Sequence, residues 1–258
     1  MATVTRVVAP NPGPYTGPGT NTWILGDQPA LVVIDPGPDD DQHLAAVERA
    51  LKGRAVSAIL VTHSYLDHLS LAGRLAERVN ARVSRYPELT DGDVVRTGGL
   101  NVTALHTPGH CADHLCFWLA DDRVLFTGDL VLGKGSSMVT FPEGDVAAYL
   151  RSLERVAALH PRLLFPGHWD PVEAAEAKIE EYRTHRLERE LQLVEELERG
   201  AGSAAELTRR VYSAEVGDSE PLLKAAEMTL RAHLQKLVDE GRVRTSPRAG
   251  AEVYELAH

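Results

Sequence analysis

The sequence predicts an α/β or α+β protein, with an order of elements that suits two sheets packed face to face and helices outside, followed by a helical C-terminal unit. Short β-like runs alternate with amphipathic helical stretches, the texture changes near Pro171, and glycine-preceded His or Asp residues recur where strands end. Residues 3–8, 22–25, 31–34 and 56–61 read as strands, and 43–51 and 71–79 as helices. A second series follows: strands at 94–96, 102–105, 115–119 and 124–126, a helix over 146–159, then a strand at 163–165. From 171 the chain is charged and helix-favouring. Residues 172–199 read as one long or broken helix ending at Gly200, Ser203 caps a short helix through Val211, and 221–240 forms another closed by Gly241. Residues 242–245 and 252–256, joined through 247–250, read as a β-hairpin. The division expected is therefore 1–170 and 171–258.

Length and composition narrow the function classes. A chain of 258 residues can bury a sizeable core, and no apolar stretch nears the roughly 20 residues that cross a bilayer. The first six residues lack a signal peptide's hydrophobic region, so the expected location is cytoplasmic with no membrane partner. Cys111 and Cys116 lie five apart around a turn, a poor disulfide framework, and are expected to be reduced. A net charge of −10 argues against a broadly basic nucleic-acid footprint without excluding a local groove.

Chemistry concentrates at the strand ends. Residues 63–68 read His-Ser-Tyr-Leu-Asp-His directly after the apolar run at 56–61. Two imidazoles and a carboxylate this close are poor core material and good metal ligands. The theme returns at Thr107-Pro108-Gly109-His110, Phe126-Thr127-Gly128-Asp129 and Phe165-Pro166-Gly167-His168. One lone histidine is usually an ordinary residue, but four loops with the same theme outweigh that reading. Glycine would let each turn sharply and direct the next side chain inward.

These motifs resemble the metallo-β-lactamase superfamily, and within it the β-lactamase-like protein 2 group. The likeness includes Asn11-Pro12-Gly13-Pro14, Gly19-Thr20-Asn21-Thr22, Asp35-Pro36-Gly37, Asp113-His114 and Leu132-Gly133, and continues more loosely through Tyr182, His185-Arg186 and Arg189-Glu190. It implies an αββα sandwich, in α+β class, with a C-terminal winged-helix-like domain. By the same resemblance His63 and His110 would hold a first metal, Asp67, His68 and His168 a second, and Asp129 would bridge. Zinc is the expected cofactor, as one ion or two, with iron or manganese as alternatives. Tyr65 departs from the pattern, standing where the family has its second His, and a neutral phenol is a poorer zinc ligand than imidazole.

Three consequences stay open: a weak first site, ligation by a Tyr65 phenolate, or a two-His-one-carboxylate iron centre. The expected activity is hydrolysis of a small ester or thioester by metal-activated water, with Asp67 or Asp129 handling the proton and Tyr65 donating to the oxyanion. The resemblance also allows an endoribonuclease acting on single-stranded RNA; an Fe(II) oxygenase and a degenerate binding scaffold are further alternatives. Acidic residues interleave with Arg209, Arg210, Lys224, Arg231 and Lys236, so the C-terminal unit reads equally as an RNA binder or as a packing or homodimerisation module. Few aromatics are available to stack bases, which favours a small-molecule substrate.

Overall fold

Strands β1 (Val4–Val8), β2 (Asn21–Leu25), β3 (Ala30–Ile34), β4 (Ala55–Leu60) and β5 (Arg82–Ser84) form one sheet in chain order in the computed structural model, which describes residues 2–26, 30–97, 99–217, 219–248 and 251–257. The first three strands pair antiparallel, and β3, β4 and β5 pair parallel. Parallel neighbours require a crossover. Helix α1 (Asp41–Leu51) supplies it between β3 and β4, and α2 (Leu66–Leu69) with α3 (Ala72–Val79) between β4 and β5. The Asp40 carboxylate caps α1 by accepting from the His43 amide at 2.7 Å.

A second sheet has the order β10-β9-β8-β7-β6, from β6 (Val94–Thr97), β7 (Leu100–His106), β8 (Leu115–Leu119), β9 (Val124–Gly128) and β10 (Leu163–Pro166). Helix α4 (Val146–Ala157) connects β9 to its parallel neighbour β10. Period-two alternation explains the layers. On β3, Val32 and Ile34 join Trp23, Leu60, Phe117 and Phe126 in a core drawn from both sheets. Leu31 and Val33 point the other way, into a second core with Leu44, Val47 and Leu51 of α1 and Leu75 of α3. Two buried faces are why these strands read as unbroken apolar runs.

The C-terminal elements are α5 (Ala175–Arg199), β11 (Gly202–Ser203), α6 (Ala204–Val216), α7 (Glu220–Asp239), β12 (Val243–Arg248) and β13 (Ala251–Leu256), with sheet order β11-β13-β12. Ser203 and Glu206 form a reciprocal capping box at the start of α6. Leu193, Leu197, Leu207, Leu230, Leu234, Leu237 and Tyr254 share a core of their own. Helix α5 starts at Ala175, not 172, because Val172 exchanges two 3.0 Å backbone hydrogen bonds with Leu164. Helix α6 outruns its expected end at Val211. Of the expected hairpin turn, residues 249–250 lie outside the described residues.

The chain divides into two compact units. One takes Met1–Pro108, Asp113–Ser137 and Ser152–Ile179; the other takes Gly109–Ala112, Met138–Arg151 and Glu180–His258. Among the described residues no helix is long and apolar enough to cross a membrane.

Candidate metal centre

The loop after β4 folds back at Tyr65, whose carbonyl accepts from the amides of both His68 and Leu69 at 3.0 Å. This single turn, α2, directs Asp67 and His68 to one side. Strand β9 ends at Gly128, delivering Asp129, and β10 ends at Pro166, delivering His168. Donor atoms of Asp67, His68 and His168 lie within 4.8 Å of one another, as do those of His63, His68 and Asp129. Strand ends thus bring together five of the six expected ligands within the first unit. His110, the sixth, belongs to the second unit, where its ring meets the Met138 carbonyl at 2.6 Å.

The spacing suits a metal ion. Asp67 Oδ2 stands 3.4 Å from His68 Nε2 and 3.4 Å from His168 Nε2, and the two imidazole nitrogens are 3.3 Å apart. Ligands bonded at about 2.0–2.2 Å at the corners of a tetrahedron stand about 3.3–3.6 Å from one another. These three atoms match three such corners. Asp129 offers further oxygens, 3.4 Å from His168 Nε2 and 3.6 Å from His68 Nε2.

Outer hydrogen bonds fix which ring nitrogens face the centre. Asp35, buried and at positive φ just past β3, accepts the Thr62 amide at 2.7 Å, the Thr62 hydroxyl at 2.8 Å and His68 Nδ1–H at 2.9 Å. Because the Thr62 hydroxyl proton goes to Asp35, its oxygen accepts from His63 Nδ1–H, 2.9 Å away. His168 Nδ1 faces the Gly19 carbonyl at 3.4 Å. Each contact occupies the Nδ1 side of its ring and turns Nε2 toward the centre, the orientation that metal-ligating histidines take from their outer partners. His114 is the converse case. Its Nε2 accepts the Asp129 amide at 3.1 Å, so its Nδ1–H donates to Thr107 Oγ1 at 2.9 Å, and it holds the Asp129 backbone.

The N-terminal segment completes the frame. Asn11 donates to Thr20 Oγ1 at 3.0 Å, which obliges the Thr20 hydroxyl to donate to Asp67 Oδ2, also at 3.0 Å. Asn21 donates to the carbonyls of Pro166 and Trp169 at 2.9 and 2.7 Å, clamping the turn that carries His168. Asn11, Thr20, Asn21, Asp35 and His114 carry no functional signature of their own in the sequence. Their one visible signal was membership in those motifs.

Two glycines matter for different reasons. Gly128 has φ +47°, and a Cβ there would meet His114 and Thr62 at 2.8 Å. At Gly167 the backbone is not in the left-handed region; a Cβ would instead stand 2.5 Å from Asp129 Oδ1 and 2.7 Å from His68 Cε1. The expectation of special backbone angles thus holds at Gly128, whereas at Gly167 the requirement is close approach to the donors.

The electrostatics are those of carboxylates facing imidazoles. Burial disfavours charge on His168, but Asp129 and Asp67 carry its pKa up to about 10. Burial opposes His68 in the same way, and Asp35 and Asp129 overcome it to raise its pKa. Asp129 is desolvated, yet His168 and His68 hold it well below the usual carboxylate range. Tyr65 is half-buried, its ring edge-on to His63 with centroids 4.9 Å apart. Both cysteines are buried and outside any disulfide; burial pushes the Cys116 thiol up to about 12, an inert state.

Comparison with known proteins agrees with this architecture. The metallo-beta-lactamase superfamily profile matches residues 15–91 and 84–168, and the beta-lactamase associated winged helix domain matches 203–250. A beta-lactamase-like protein 2 homolog of Drosophila melanogaster is 32% identical, covering 98% of this chain and 94% of that protein. An atrochrysone carboxyl ACP thioesterase of Aspergillus chevalieri is 33% identical over 93% of this chain and 82% of its own. The crystal structure of a beta-lactamase domain protein from Burkholderia ambifaria superimposes with a TM-score of 0.88 at 24% identity, covering 98% of this chain and 91% of that one. With two facing sheets, His and Asp gathered at the strand ends and a winged helix domain after them, the chain belongs to the metallo-beta-lactamase superfamily.

Proposed function

We propose that this protein is a metal-dependent hydrolase of a small thioester or ester. The observation that carries the reading is the set of 3.3–3.4 Å separations among Asp67 Oδ2, His68 Nε2 and His168 Nε2, with Nδ1 of both rings turned outward. A divalent ion held there supplies Lewis acidity, acidifying water and polarising a carbonyl. His68 and His168 would hold it through Nε2 and Asp67 through Oδ2, with a further oxygen available from Asp129. Asp67, with 27% of its side chain exposed against 13% for Asp129, is the carboxylate better placed to orient water and take its proton. Tyr65, beside His63, donates a hydrogen bond to the oxyanion. The thioesterase name of the Aspergillus relative supports a thioester as the scissile group.

The winged helix domain favours the ribonuclease reading in one respect, but its hairpin cations are engaged. Arg244 and Arg248 both donate to Glu255 at 3.0 Å, and Arg242 donates to Glu190 at 2.6 Å. The experiment is elemental analysis of purified protein alongside a panel of acyl thioesters and single-stranded RNA. Thioester turnover that chelation abolishes and zinc restores is the expected result. Cleavage of RNA alone, oxygen consumption by an iron-loaded protein, or chelator-insensitive turnover would each refute it.

A further inference from the structure

The loops that frame the metal centre are acidic. Residues 9–20, 35–40, 61–70, 128–137 and 166–171 carry Asp35, Asp39, Asp40, Asp67, Asp129 and Asp170, and their one Lys or Arg is Lys134. The loop 133–137 is stapled to the centre at both ends. The Gly133 amide donates to the His168 carbonyl at 3.2 Å, and the Ser137 hydroxyl donates to the Asp129 carbonyl at 2.5 Å. No side chain fits at Gly133: a Cβ would stand 2.3 Å from the Asp170 carbonyl oxygen and 2.9 Å from Trp169 Cβ. Lys134 therefore leaves the backbone one residue past a close contact with the turn that carries His168, within the same compact unit.

Lys134 is exposed and, among the described residues, has neither a hydrogen bond nor an ion pair. The neighbouring Asp170 carboxylate is taken by Arg6. An ammonium left without a partner in an acidic frame is available to an incoming anion, and its flexible four-carbon stem lets the charge follow a bound group. We propose that Lys134 binds a carboxylate at the far end of the substrate's acyl group, so that the preferred substrates are thioesters or esters of dicarboxylic acids. The scissile bond in this statement rests on the hydrolase reading above; the anion-binding role of Lys134 does not. A single ammonium neutralises one carboxylate. A phosphate dianion would keep a net charge beside Asp67 and Asp129, and these loops hold no arginine for its planar, two-pronged recognition.

The test uses the full-length, zinc-loaded protein and N-acetylcysteamine thioesters, whose thiol part carries no charge. Succinyl and glutaryl thioesters are compared with the butyryl one. The carboxylated acyl group is expected to lower KM about fivefold, the upper end for an exposed ammonium–carboxylate pair, and rising salt should narrow the difference. Lys134→Arg should keep the preference, Lys134→Gln lose it and Lys134→Glu reverse it. The residue is exposed, so these substitutions leave the core intact. A second readout needs no turnover: calorimetric binding of succinate and of butyrate to the same proteins. Each acid brings one carboxylate for the metal, so the ratio of their affinities isolates the other. A succinate preference that Lys134→Gln reduces upholds the proposal even where no thioester is hydrolysed, an outcome that would refute the hydrolase reading alone. Failure of both acids to bind, or a succinate-to-butyrate ratio that Lys134→Gln and Lys134→Glu leave unchanged, overturns it.

Discussion

Asp67, His68 and His168 form a set that closes on itself, whereas His63 groups with two donors, His68 and Asp129, that stand 3.4–3.6 Å from members of that set. The asymmetry makes a prediction: Asp67→Ala or His168→Ala abolishes metal binding, while His63→Ala loses far less, as read by elemental analysis. Equal loss from all three would mean a coupled two-metal centre. Tyr65 is the second test at this scale. Tyr65→His should raise the stoichiometry toward two ions per chain, because an imidazole would stand beside His63 where a phenol does now. A wild type already holding two tightly bound ions would sink that expectation. The donors themselves were legible, since His and Asp at glycine-marked strand ends have a chemical signature. Asp35 and Thr20 were not, because their roles depend on hydrogen bonds spanning 27 and 47 positions that no local pattern encodes.

Elements with a strong period or cap were legible in the same way: β3 and β4 as apolar runs, α1 by its stripe, α6 by Ser203. The short ones, β5, β11 and the one-turn α2, carry too few residues to show a period. Helix α7 supplies a prediction about pH. His233 is kept neutral, first by burial and then by Arg186, Lys236, Arg189 and His185, so its pKa falls well below the ordinary 6.5. The unfolded chain takes up a proton near pH 6.5 that the folded helix refuses. Its contribution to stability is therefore complete above that pH and lost as the pH falls, by up to about 1.4 kcal/mol per unit. Urea unfolding at pH 7.0 and 5.5 should show a larger loss in the wild type than in His233→Gln. Identical losses would show that His233 protonates in place.

At the scale of the whole molecule, the order of elements gave only α/β or α+β and suited facing sheets, while the sandwich itself was legible through the resemblance, because a succession of periods fixes the class and not the packing of layers. The clustering of 109–112 and 138–151 with that unit was not legible, since it arises from contacts distant in sequence. Charge distribution yields the last prediction. The net charge is −10, and the three hairpin arginines that RNA phosphates would engage are spent on Glu190, Glu240 and Glu255. Exposed pairs of this kind contribute about 0–1 kcal/mol each, so replacing Arg244 and Arg248 removes little, and Glu190 keeps Lys236 when Arg242 goes. Changing Arg242, Arg244 and Arg248 together to Ala should thus leave thioester turnover nearly intact. Single-stranded RNA should bind the wild type weakly, with little dependence on salt, and the triple variant equally so. Strong, salt-sensitive RNA binding that the triple variant loses would mean that these ion pairs open for phosphate, and the substrate would then be RNA.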